Sequence, residues 1–190
     1  MNIEKRSIVI LFVFFLSCGK NIKTVTKVEN MYSKIKKELA PDKRTELFDI
    51  QFHLSNGAII LKGETTSKKA LSRLQDSLKY SQVNFKSEVR ILPDSSLENR
   101  QFAIAKNSVI NIRSNPKHSA ELGTQGLLGM ALRVLDKKGD FYRIQTPDNY
   151  ISWVDKGGIQ RMNKRDFDLW NASKKVLFTK PVIVFVSCHP

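Results

Sequence analysis

Cysteine, histidine and acidic charge are all scarce in this chain, and each shortage closes off a class of function. Only 2 Cys and 3 His occur among 190 residues. No spacing among Cys18, His53, His118, Cys188 and His189 matches a zinc-type cluster, so a metal site is not expected. A Cys–His nucleophilic pair needs a thiolate beside an imidazole. His53 lies in a strand pattern and His118 in a loop, each without a cysteine in its sequence context. Cys188 and His189 are adjacent, and adjacent residues on an extended chain point opposite ways. No phosphate-cradling glycine loop or serine-centred elbow occurs either. The expectation is therefore no catalytic residue, no metal and no cofactor. Acidic residues number 18 against 32 basic ones, a net charge of +14. Such an excess favours an acidic neighbour, whether anionic lipid, an anionic wall polymer or nucleic acid. Long apolar runs are missing as well. The run Ile8 to Leu16 falls far short of the ~20 residues needed to span a bilayer.

That short run has the flanks of an export signal. Lys5 and Arg6 supply a positive start, and the small residues Ser17 and Gly19 bracket Cys18. The end of the run, Phe15-Leu16-Ser17-Cys18-Gly19, resembles a bacterial lipobox with Phe before Leu16. The resemblance implies cleavage before Cys18, diacylglycerol on its sulfur and acylation of the new amine. Several acyl chains hold a protein durably where one holds it only marginally. The other reading of residues 1–18 is an ordinary signal peptide with Cys at its cleavage site. Both send the chain out of the cytoplasm, which removes nucleic acid from the expected partners. The expected location is the bacterial envelope, as a membrane-anchored lipoprotein on the periplasmic side.

Residues 19–27 are polar and basic and read as a tether. Val28 to Leu39 then has helical spacing, with Val28, Met31, Tyr32, Ile35 and Leu39 on one stripe and Lys34, Lys36, Lys37 and Glu38 opposite. Pro41 ends it. Such a helix either lies on anionic head groups or packs its stripe on the next domain. Phe48 to Leu54 alternates, and Asn56-Gly57 leads into a partner strand from Ala58 to Leu61, a strong hairpin signal. Thr66 or Ser67 caps a helix from Ser67 to Tyr80 with the stripe Ala70, Leu71, Leu74 and Leu78. A last strand runs from Val83 to Leu92. The order is α-β-β-α-β over residues 28–94, with one sheet face under two helices. The pattern NGAIILKGETTS, Asn56 to Ser67, and the terminal VRILPD, Val89 to Asp94, resemble the BON domain of bacterial envelope proteins. In that family contact with phospholipid or the envelope surface is the proposed role.

Residues 95–101 read as a linker. From Val109 to Val154 short β-rich runs alternate with turns. Ser114-Asn115-Pro116 breaks the first run, Leu127 to Leu135 is the second, and Lys137-Lys138-Gly139-Asp140 is a tight turn. In the next run Phe141, Arg143 and Gln145 share one face, with Tyr142, Ile144 and Thr146 on the other. Pro147-Asp148-Asn149 turns the chain into Tyr150 to Val154. Strands at this spacing point to a small barrel or sandwich. The runs VINIRSNPKHSAELGTQ and ALRVLDKKGDFYRIQTPDNYISWVD resemble the bacterial SH3 (SH3b) domain. Two departures from its pattern are Asn149 at a usual turn glycine and Ser152 at a usual glycine before Trp153. The fold class is thus α+β, the small α-β-β-α-β domain being followed by an SH3-like β-barrel over residues 102–162.

The remainder, residues 163–190, reads as a short helix from Asp166 to Val176 and then an apolar tail from Pro181. A tail of that kind, with no closing element, is read as a truncation or frame shift near Lys180. The order of leader, small domain and SH3b resembles the front of NlpC/P60 cell-wall hydrolases, whose Cys–His pair lies in a further C-terminal domain. With none of that domain recognisable, the chain is expected not to be an enzyme. The SH3b resemblance implies binding of peptidoglycan or another cell-wall peptide. Stem peptides carry carboxylates and methyl groups, so arginine beside aromatic walls is a suitable surface. The candidate contacts are Asn111, Arg113, Tyr142, Tyr150 and Trp153, with Tyr142 and Trp153 alternatively in the core. The alternative role is a scaffold at the membrane surface whose SH3b domain docks a protein partner, or an inactive fragment of a longer hydrolase.

Overall fold

The computed structural model describes residues 23–176. The leader at 1–18, Cys18 and the apolar tail from Pro181 lie outside the described residues, so the fold does not address them.

The first unit begins with α1, residues 23–39. Residues 23–27, read above as tether, are helical, because Val25 extends the apolar stripe by one turn and packs on the same core as Val28. The strands are β1 (Phe48–Ser55), β2 (Ala58–Thr65) and β3 (Phe85–Ile91), with α2 (Lys68–Tyr80) between the last two. Strand β2 is central, antiparallel to β1 and parallel to β3. Pairing on both edges carries β2 beyond Leu61 to Thr65. Asn56 and Gly57 turn the hairpin with φ of +48° and +76°, the geometry that Asn-Gly adopts readily. Ser67 caps α2 by accepting from the Ala70 amide at 3.3 Å. Phe48, Ile50, Ile59 and Leu61 from the sheet meet Val28 and Ile35 of α1 and Ala70, Leu71, Leu74 and Leu78 of α2 in one core. The stripe of α1 therefore packs on its own domain. Tyr32 fixes its place, donating its hydroxyl proton to the Phe48 carbonyl at 2.7 Å.

The second unit is a seven-stranded antiparallel sheet built from β4 (Phe102–Ala105), β5 (Val109–Arg113), β6 (Leu122–Leu127), β7 (Ala131–Lys138), β8 (Phe141–Gln145), β9 (Ile151–Asp155) and β10 (Ile159–Met162). Its order is β10-β4-β7-β8-β9-β5-β6. The sheet curls around a core of Ile110, Ile112, Leu132, Val134, Ile144, Val154 and Ile159. The expected barrel is not closed, since β10 and β6 remain edge strands. Strand β5 gives its free side to β6 rather than to β10, and Gly158, in the 3-10 turn just before β10, packs on Ile110. The run Leu127 to Leu135 is not one strand either. Gly129, at φ +81°, turns the chain between β6 and β7. Residues 95–101 are not a free linker. Ser95–Leu97 form a 3-10 turn, and Leu97 is buried in the second core. Arg161 of β10 donates to the carbonyls of Leu97 and Arg100 at 2.8 and 2.9 Å. Helix α3 (Lys164–Ala172), capped by Asn163, stacks Phe167 on Phe102 with ring centroids 4.8 Å apart.

The two units meet closely. Leu92 and Leu47 of the first bury against Leu135 and Ile151 of the second. Around them the Ile151 amide donates to the Arg44 carbonyl at 2.6 Å and the Asp94 amide to the Leu135 carbonyl at 2.8 Å.

Candidate functional site

Register on three neighbouring strands assembles the site. Arg143 of β8 and Arg113 of β5 are both direct partners of Trp153 on β9. Partners across a sheet share a face, so Arg143, Trp153 and Arg113 form one row on the face away from the core. One step along β8 and β9, Phe141 pairs with Asp155, and alternation brings Asn111 of β5 to the same side. His118, from the β5–β6 loop, closes this end. Its ring lies 5.0 Å from the Phe141 ring, and its Nε2 is 3.6 Å from an Asp155 carboxylate oxygen.

Between these residues lies a cleft of about 210 Å³, lined by Asn111, Arg113, His118, Phe141 and Asp155 among others. That volume is below the range of sites for drug-sized ligands and suits one side chain or one end of a peptide. Its charges are mixed. Arg113 donates from Nη1 to the neutral Ala120 carbonyl at 2.8 Å and has no carboxylate partner among the described residues. Asp155 accepts from the Gly157 amide at 2.6 Å. Asn111 is exposed, and its Oδ1 accepts from Gln125 at 2.9 Å. A cation, an anion, an amide and an aromatic wall thus converge on a small concavity.

The five residues picked from the sequence divide. Asn111 and Arg113 come together in the cleft. Trp153 stands beside them but is only 7% exposed, with the Arg143 guanidinium 4.6 Å above its ring. Tyr142 faces the other way and packs on the core, where the Arg161 guanidinium lies 5.0 Å over its ring. Tyr150 is half-buried beneath β6, where a Cβ on Gly123 would come within 2.5 Å of its hydroxyl. Neither tyrosine lines the cleft. His118, Phe141 and Asp155 were not picked. The face shared by Phe141 and Arg143 is readable by alternation, but placing them beside Asn111 requires the β8–β9–β5 pairing. Asn149 takes the left-handed conformation, φ +68°, that its position requires. The Ser152 hydroxyl is absorbed by donating to the Arg113 carbonyl, so it ties β9 to the strand that carries the cleft arginine.

An ionic network adjoins this face. Arg90 of β3 donates to Glu64 and Asp136 at 2.7 Å and to Asp94 at 3.1 Å. Glu64 also accepts from Arg143, so one carboxylate of the first unit touches the second unit's outer row. Burial pushes the Glu64 carboxyl up, but the hydrogen bonds from Arg143 and Arg90 outweigh it and hold the group below its ordinary range. The Asp136 carboxylate makes Arg90 still harder to deprotonate. Among the described residues no group of three His, Cys, Asp or Glu is placed to hold a metal ion. No helix among them is long and apolar enough to cross a membrane.

The chain is thus α+β, with a curled antiparallel sheet that carries a small mixed-charge cleft on its outer face. Residues 112–159 match the family model described as the bacterial dipeptidyl-peptidase Sh3 domain, which supports an SH3b domain in this part of the chain. The match contains Arg113, His118, Phe141 and Asp155, whereas Asn111 lies one residue before it. No curated protein matches the chain.

Proposed function

We propose that this protein is a non-catalytic envelope protein whose SH3b unit holds a peptidoglycan stem or another cell-wall peptide. The observation that carries the reading is the cleft on the matched sheet, where Arg113 has no carboxylate partner among the described residues while Asp155 and Asn111 offer acceptors for an amine or amide. Charge-assisted pairing of guanidinium with carboxylate is strong and directional. The first unit, with its BON-like α-β-β-α-β order, positions the cleft at the membrane surface, and acylation of Cys18 anchors it there. On this reading the binding step precedes a cut made by another domain or protein.

Sedimentation of the purified protein with insoluble peptidoglycan tests this. Retention that survives about 0.3 M salt is expected, because a seated peptide is screened far less than loose surface attraction. Release of all the protein at that salt would leave bulk charge as the only interaction and defeat the proposal.

A scaffold role has one observation of its own. Among the described residues edge strand β6 has an unpaired side, and Leu122, Leu127 and Leu128 near it are 47%, 66% and 65% exposed. Uncovered edges of this kind accept partner strands. Under that reading Leu128→Asp abolishes capture of the partner and leaves peptidoglycan retention unchanged.

A further inference from the structure

Two arginines flank Trp153, and their surroundings differ. Arg143 and Arg113 are its register partners on either side. Among the described residues Arg113 meets a neutral carbonyl and no carboxylate. Arg143 lies over the indole and bonds Glu64, which is brought there by β2 of the first unit. The Arg143 side chain is 16% exposed and that of Glu64 is 23% exposed, so this pair is shielded in a way the surface pairs are not. A guanidinium left this buried without its carboxylate is costly and would turn outward. Tying the units together does not depend on Glu64–Arg143, because Arg90–Asp136 and the apolar contacts of Leu92 with Leu135 already bridge them.

We propose that Glu64 is a built-in carboxylate that occupies the Arg143 half of a two-arginine anion surface centred on Trp153. It leaves Arg113 as the half open to a ligand. Glu64 is thus a specificity-determining residue supplied by one unit to the site of the other. It restricts the outer face to ligands presenting one carboxylate at the Arg113 end. The occupation of Arg143 rests on the ion pair alone, while its consequence for cell-wall peptide rests on the function proposed above.

The Nε–H signals of Arg113 and Arg143, followed by NMR in the full chain, separate these points. The probe is N-acetyl-alanyl-alanine, which offers one terminal carboxylate. In the natural protein the probe shifts Arg113 and leaves Arg143 still. In Glu64→Gln it shifts both, because the neutral amide no longer satisfies Arg143. An Asp94→Asn variant removes a different partner of Arg90 and leaves the response of Arg143 silent, which a general loosening of the interface would not do. Should Glu64→Gln fail to fold, Glu64→Asp keeps the charge but withdraws it by one methylene and is expected to give the same second response. Silence of Arg143 in the Glu64 variants, or its response in the natural protein, overturns the proposal. Silence of Arg113 throughout, with Arg143 answering in Glu64→Gln, overturns only peptide binding at the cleft and upholds the role of Glu64.

Discussion

Gly63 shows how one residue can hold the first sheet together. It sits in β2 at φ +138° opposite Ile50, and a Cβ there would collide with the Asp49 carbonyl. Only glycine tolerates both demands. Gly63→Ala is expected to destabilise the protein by about 3 kcal/mol, the range of a severe backbone clash, read from denaturant unfolding; a change below about 1 kcal/mol would show that the strand yields easily. Asn149 is the opposite case. It already adopts φ +68°, so Asn149→Gly should change stability by only a few tenths of a kcal/mol. Tyr32→Phe deletes the bond to the Phe48 carbonyl and should cost about 1 kcal/mol, since it strands a half-buried acceptor while keeping the ring packing on Phe48 and Phe52.

At the scale of elements, periodicity was the readable signal wherever one face is buried. The stripe Ala70, Leu71, Leu74 and Leu78 of α2 is the buried set observed, and the alternation of β1 places Phe48 and Ile50 inward. Turns built on Asn56-Gly57 and Gly139 also fall where their residues place them. Pairing between distant strands was not readable. Arg143 reaches Trp153 across the local β8–β9 hairpin, but nothing in ISWVD tells that Arg113, from β5 much earlier in the chain, will stand on its other side. Closure was hidden for the same reason, since β10 pairs with β4 and not with β5, a choice between strands distant in sequence. The cleft was therefore half legible. Arg113 and Asn111 could be picked as polar groups on one face of a strand, whereas His118 and Asp155 gain meaning only from proximity.

For the whole molecule, the contact between the two units is largely ionic at its rim and apolar at its centre. Glu64 and Asp94 are both held below their ordinary carboxylate range, Glu64 by Arg143 and Arg90 against the pull of burial, Asp94 by Ser96 with help from Arg90. A carboxylate with a depressed folded pKa stabilises fully above its unfolded value, and that contribution is lost as pH falls through the folded pKa. The unfolding temperature is accordingly expected to be flat between about pH 7 and 5 and to fall below about pH 4. Glu64→Gln should make the acid fall shallower. A steeper fall in that variant would mean the carboxylate is not stabilised by its arginines. The net charge of +14 acts on a longer range. It draws the protein toward any anionic polymer, so affinity alone cannot identify a site.

The separating measurement is peptidoglycan retention of two variants that lose the same charge. Arg113 lines the cleft, whereas Arg133 of β7 is exposed outside it. With binding at the cleft, Arg113→Ala lowers retention at about 0.3 M salt at least tenfold, equivalent to about 1.4 kcal/mol, and Arg133→Ala leaves it within twofold. Equal losses from both variants would contradict the account and reduce the interaction to the basic character of the whole surface.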